Sequence, residues 1–142
     1  MTPPAIEAGD VVALDTGVLR RAGGSRTNAQ QTADEDRAVT GVHDFLVLHV
    51  DRAAGQLSAL PLFPRSAPGS APLDDRLRSG PPEWLAQPVF YSRWQHWQVP
   101  LVALSAAITG DETNRRYAAG KEEVLRELGN WASRNRCAFR PA

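Results

Sequence analysis

The chain has 142 residues, 42% of them apolar, and its sixteen basic residues offset sixteen acidic ones. That length suits one domain with a single core, and zero net charge excludes a protein-wide field that would draw in nucleic acid or anionic lipid. Eleven glycines, eleven prolines and the lone Cys137 favour a turn-rich fold and exclude a disulfide framework or a Cys-rich metal site.

Lys121 is the sole lysine, so nearly all the basic charge is arginine. A genomic base-composition bias explains that more simply than phosphate binding does. The opening MTPPAIEAGD has neither a basic n-region nor an apolar h-region, and no stretch reaches membrane-spanning length. A cytoplasmic location without membrane contact is expected.

In chain order, Gly9-Asp10 punctuates a loose lead-in, and the apolar, β-branched run Val11 to Leu14 predicts a first strand ended by Asp15-Thr16-Gly17. From Val18 to about Val42 the chain turns polar and aperiodic. Such long connections are mobile or functional, and this one carries Arg20, Arg21 and Arg26, which would face a site if the loop closed over one.

Phe45 to Val50 predicts the second strand, with Phe45, Val47 and His49 on one face and Leu46, Leu48 and Val50 on the other. Apolar residues on both faces imply a central strand of a covered or closed sheet. Asp51 to Gly55 is the turn and Gln56 to Phe63 the third strand, with Pro61 implying an edge or a bulge at its far end. Pro64 to Pro82 is rich in proline and glycine and predicts irregular structure over most of its length. Gln87 to Ser92 and Trp97 to Leu104 predict two further strands, with Pro100 again at an edge or bulge. Tyr117, Val124, Leu128 and Trp131 then fall at helical spacing, with Thr113 as a possible N-cap. The chain is therefore expected to be mainly β (α+β), a single domain of residues 1–142 with long irregular loops and a C-terminal helix over about 112–136.

No histidine or carboxylate pattern marks a metal site, Gly23-Gly24 lacks the Lys-Ser/Thr of a phosphate-binding loop, and no G-x-S-x-G elbow exists. No metal or cofactor is expected. His49 alternates with core residues and suits a core or rim position, whereas His43 precedes the strand and is the better candidate for chemistry. The cluster Tyr91, Arg93, Trp94, His96 and Trp97 mixes aromatic and basic groups, a mixture that stacks bases and holds phosphates of single-stranded nucleic acid. The same tryptophans could equally close the ends of a core.

Taken together, GDVVAL, the long polar loop, FLVLHV, ALPLFPRS, VPLVALSAAIT and KEEVLRELGNWA resemble in order and character the MazF/PemK/Kid family of toxin endoribonucleases. The likeness covers about two thirds of the chain and rests on pattern. It implies a small SH3-like β-barrel, usually a homodimer, that cleaves single-stranded RNA without metal and is neutralised by a cognate antitoxin. It also implies a Ser/Thr after the third strand, matched here by Ser66 with Arg65 beside it. The family's Arg-Pro before the second strand is replaced by His43-Asp44. Either His43 or Arg26 then takes the arginine's role, or the chain keeps the fold without the activity. The expected site is thus His43, Arg26, Arg65 and Ser66 for chemistry, with Arg20, Arg21, Arg93, Trp94 and His96 for substrate. The rivals are a non-catalytic β-barrel interaction module, favoured by the neutral charge, and a barrel that binds a small molecule.

Overall fold

The computed structural model describes residues 6–29, 38–67, 69–92, 95–109, 115–117 and 139–142. Over those residues the protein is mainly β and its sheet antiparallel. Strand β1 (Val11–Asp15) runs against β3 (Val42–Asp51), pairing Val11 with Leu46 and Asp15 with Val42. β3 then pairs with β4 (Gln56–Phe63), from Phe45 opposite Pro61 to Asp51 opposite Gln56. The turn between them is set locally: Ala54 donates its amide to the Asp51 carboxylate at 3.0 Å, and Gly55 takes φ 69°, a conformation that costs glycine nothing.

β4 has partners on its outer edge as well. Gln56 to Ala59 pair with β7 (Trp97–Pro100), while Leu62 and Phe63 pair with β6 (Phe90–Ser92). β7 carries the two-residue strand β2 (Arg26–Thr27), which in turn carries β8 (Arg140–Pro141). β6 carries β5 (Ser70–Pro72). Among the described residues the path β1-β3-β4-β7-β2-β8 does not close on itself. Pro61 falls in the gap where β4 changes its outer neighbour, which is where a residue without an amide proton does least harm.

Each face of the β3–β4 hairpin is covered. Phe45, Val47, Leu57 and Ala59 pack with Leu14, Leu19, Trp97 and Leu104 on one face. Leu46, Leu48, Leu60 and Leu62 pack with Trp84, Tyr91 and Tyr117 on the other. The expected alternation holds from Phe45 to Leu48 and then shifts. Val47 faces Ala59 and His49 faces Ser58, so Leu48 is the extra residue of a β-bulge. Past it Val50 joins the first layer instead of the second, and His49 is exposed instead of lying in the core or at its rim.

Several expected boundaries are corrected. The segment after Asp15 is not a loop from its start: helix α1 (Thr16–Ala22) forms there because the Asp15 carboxylate caps it, accepting from the amides of Gly17 at 2.9 Å and Val18 at 3.4 Å. Short helix α2 (Pro82–Ala86) begins on proline and buries Trp84, so the strand expected from Gln87 is only β6. The strand expected over Trp97 to Leu104 stops at Pro100, where a 3-10 turn (Leu101–Ala103) leads into α3 (Leu104–Ala107). There Leu101, Ala103, Leu104 and Ala107 are buried while Val102, Ser105 and Ala106 are exposed, a helical rather than an alternating pattern.

The expected helix over 112–136 lies outside the described residues except at 115–117, and those are not helical. Arg116 bridges Asp10 on one side and Ser79 on the other. Tyr117, assigned above to a helical stripe, packs in the second core layer, where its hydroxyl accepts the Asp74 amide at 2.9 Å. Among the described residues no helix is long and apolar enough to cross a membrane.

Asp15 offers a direct check of the capping argument. Asp15→Ala is expected to cost about 1 kcal/mol of unfolding free energy in urea titrations, and Asp15→Asn only a few tenths of that.

Candidate functional site

At the open end of the β3–β4 hairpin the chain leaving β4 runs beside the chain entering β6, because Phe63 pairs with Phe90. A cavity of about 310 Å³ lies there. Its apolar walls are Val42, Leu62, Phe63, Pro64, Pro88 and Val89, and its polar groups are His43, Asp44 and Gln87. The His43 ring meets Phe63 edge-on, with centroids 5.7 Å apart. This contact limits the imidazole's freedom while leaving the residue partly exposed.

Asp44 is held from outside the hairpin. Its Oδ2 lies 2.9 Å from Nη1 of Arg115, whose side chain is only 7% exposed. The Arg115 guanidinium lies 6.0 Å from the Trp84 ring, and Arg78 approaches the same ring at 5.1 Å. Arg78 also donates to the carbonyls of Trp84 and Gln87 at 2.8 and 2.6 Å, which ties α2 and the Gln87 backbone together. The polar side of the cavity is therefore braced by two arginines and a tryptophan.

The structure brings His43 together with the strand end that leads to Arg65 and Ser66, both exposed just past Pro64. It does not bring Arg26 there. Arg26 sits on β2, beyond β4 and β7, roughly 14 Å from β3 at ordinary strand spacing. Its Nη2 donates to the Phe139 carbonyl at 3.0 Å, so it cannot stand in for the missing arginine beside His43.

Arg20 is also committed elsewhere. Its guanidinium donates to the Val39 carbonyl at 2.8 Å and to Thr16 Oγ1 at 3.2 Å, and it lies over the Trp97 ring at 5.5 Å. Arg21 is exposed on α1. Arg93 and Trp94 lie outside the described residues. The expected aromatic cluster is divided, since Tyr91 belongs to one core layer and Trp97 to the other.

His96 lies apart from the cavity lining. Its ring stands edge-on to Phe139 at 5.5 Å, and both ring nitrogens are shut off from solvent without a hydrogen-bond partner, although the residue as a whole is partly exposed. Burial pushes its pKa down from 6.5 to about 4. Its backbone does the useful work here: the amide donates to Asn28 Oδ1 at 2.7 Å and the carbonyl accepts from Thr27 Oγ1 at 2.9 Å. Nearby, Gln95 Oε1 accepts from Trp97 Nε1 at 2.7 Å and the Val39 amide at 3.0 Å, a buried acceptor fully used.

Asp44, Gln87 and Arg115 had not been singled out from sequence. Asp44 was legible as the neighbour of His43, but Arg115 lies 71 positions further on in the numbering, and nothing in the intervening sequence links the two. Among the described residues no group of three or more His, Cys, Asp or Glu is placed to hold a metal ion. No family model matches the chain, and no match to it occurs among curated proteins or solved structures.

The environment of His96 carries a pH signature. A folded-state pKa below the unfolded value means that the unfolded chain binds the proton more readily, so stability falls as pH drops from 6.5 towards 4 and this contribution is constant below that. Between pH 7 and 4.5 the native protein is expected to lose roughly 2–3 kcal/mol more than His96→Leu does, measured by urea denaturation at the two pH values.

Proposed function

We propose that the chain is a MazF/PemK-like toxin of a toxin–antitoxin system, a metal-independent endoribonuclease on single-stranded RNA. On this reading the open antiparallel sheet is a small SH3-like barrel variant, and the protein works in the cytoplasm as a homodimer restrained by a cognate antitoxin. One observation carries it: a histidine stands in the wall of a cavity whose rim continues into exposed Arg65 and Ser66. Histidine is the residue suited to proton transfer near neutrality.

In the proposed reaction His43 accepts the proton of a ribose 2′-hydroxyl as that oxygen attacks the adjacent phosphorus. The bond from phosphorus to the 5′-oxygen breaks, leaving a 2′,3′-cyclic phosphate, and the departing oxygen takes a proton from solvent. Arg65 supplies positive charge to the phosphoryl oxygens as charge builds, with Ser66 as a neutral donor. Arg26 and Arg20, engaged elsewhere, and His96, whose ring nitrogens are buried, have no part in this step.

A non-catalytic interaction module is the second reading. It is favoured by the apolar character of most of the cavity wall, by Val42 at 55% exposure and by a net charge of zero. A protein segment with a small apolar side chain would suit such a wall.

Incubating the purified protein with a long unstructured RNA in EDTA separates the two. The native chain is expected to cleave, His43→Ala to be slower by roughly a hundredfold or more, and Arg65→Ala to be impaired as well. Absence of cleavage by the native chain removes the nuclease reading and leaves the interaction module. Equal cleavage by all three proteins removes the site.

A further inference from the structure

We infer that the cavity beside His43 is a pocket for a single guanine base, read by the Asp44 carboxylate and the Gln87 amide. This deepens the ribonuclease reading and rests on it only for the source of the base. A volume of about 310 Å³ is at the small end of ligand sites and admits one base with part of its sugar, not a run of nucleotides. Phe63, Pro64 and Pro88 are apolar lining residues against which a planar base can be shielded from water without sequence preference, Phe63 alone being aromatic.

Preference comes from the polar groups. Arg115 holds Oδ2 of Asp44 at 2.9 Å, and Arg115 is itself nearly buried, so the carboxylate is fixed in place before any ligand arrives. No described residue donates to the other oxygen, Oδ1. An ionised carboxylate can only accept hydrogen bonds. Among the four RNA bases, guanine alone presents two neighbouring donors, N1–H and the 2-amino group, along its pairing edge. Adenine and cytosine set a ring-nitrogen lone pair beside their amino group, and uracil sets its one N–H between two carbonyl oxygens. Each of those lone pairs would be forced towards the carboxylate. Gln87, whose side chain both donates and accepts, completes the set by donating to the guanine 6-oxygen. Two such bonds to one base edge discriminate by about tenfold or more.

The same edge is offered by a free guanine nucleotide and by an unpaired guanosine in RNA, so the test includes both. The full chain is titrated calorimetrically with GMP, AMP, CMP and UMP, and with two short single-stranded RNAs, all uridine or carrying one central guanosine. GMP is expected to bind at least about tenfold more tightly than the other three monophosphates, and the guanosine-containing RNA to exceed the all-uridine one by a similar factor. Gln87→Ala, at an exposed residue, is expected to weaken GMP severalfold with an unchanged circular dichroism spectrum. Asp44→Asn is expected to bring the four monophosphates within about twofold of each other. If that variant does not fold, because Arg115 has lost its partner, the Gln87 variant and the ranking of the four nucleotides decide alone.

Tighter binding of the guanosine-containing RNA than of GMP assigns the pocket to RNA, and the reverse assigns it to a free nucleotide. Four monophosphates that bind alike, or that fail to bind at millimolar concentration, overturn the proposal. Cleavage of RNA without preference for guanosine removes the base pocket and leaves the nuclease. Guanine selectivity without cleavage does the opposite.

Discussion

β4 must satisfy hydrogen-bonding groups on both edges while its outer neighbour changes halfway along. Its inner edge runs against β3 from Gln56 to Pro61; its outer edge is given first to β7 and then to β6. Pro61 stands at the change, where no ladder amide is required of it. Because the outer neighbour changes, β7 with β2 and β8 continues one way and β6 with β5 another. The cavity exists for that reason. Had β7 continued along the whole of β4, Gln87, Pro88 and Val89 would not lie against Phe63 and Pro64.

The same hairpin sets the two core layers. Burial on both faces requires apolar residues at successive positions, and Phe45 to Leu48 supply them with one turning each way. The bulge at Leu48 ends that arrangement and returns His49 to solvent near the turn. The opposite end has no bulge, stays in register with β1, and so presents His43 and Asp44 at fixed height beside the cavity.

What could be read in the sequence follows from how local each signal is. The hairpin was legible to its last residue at Phe63, since alternation, an Asp-to-Gly turn and apolar strands act within a few positions. α1 was hidden because Thr16-Gly17 looks like a turn, while the decisive bonds are those that the amides of Gly17 and Val18 donate to the Asp15 carboxylate. α3 was hidden because Leu101 to Leu104 is apolar throughout, and only the exposure of Val102, Ser105 and Ala106 shows its period. At the site, His43 was singled out as preceding the second strand, but it lies within β3, which begins at Val42 and not at Phe45, and it is paired there with Leu14. The brace from Arg115 through Asp44 was not legible, because the register of Arg116 between Asp10 and Ser79 is a tertiary fact with no local trace.

Several of the described arginines are engaged inside the fold. Arg20 and Arg78 are spent on main-chain carbonyls and on tryptophan rings, and Arg26 on the carbonyl of the terminal segment. Arg115 answers Asp44, and Arg116 answers Asp10 and Glu7. Near the cavity that leaves Arg65, exposed and engaged with no described residue. With one such cation at the rim among the described residues, the affinity for RNA that the proposed reading requires draws little on counterion release along a strand. It has to come from the walls and fixed polar groups of the cavity. On the proposed reading the site selects by shape and hydrogen bonding at one position, and the charge of Arg65 serves the phosphate that reacts.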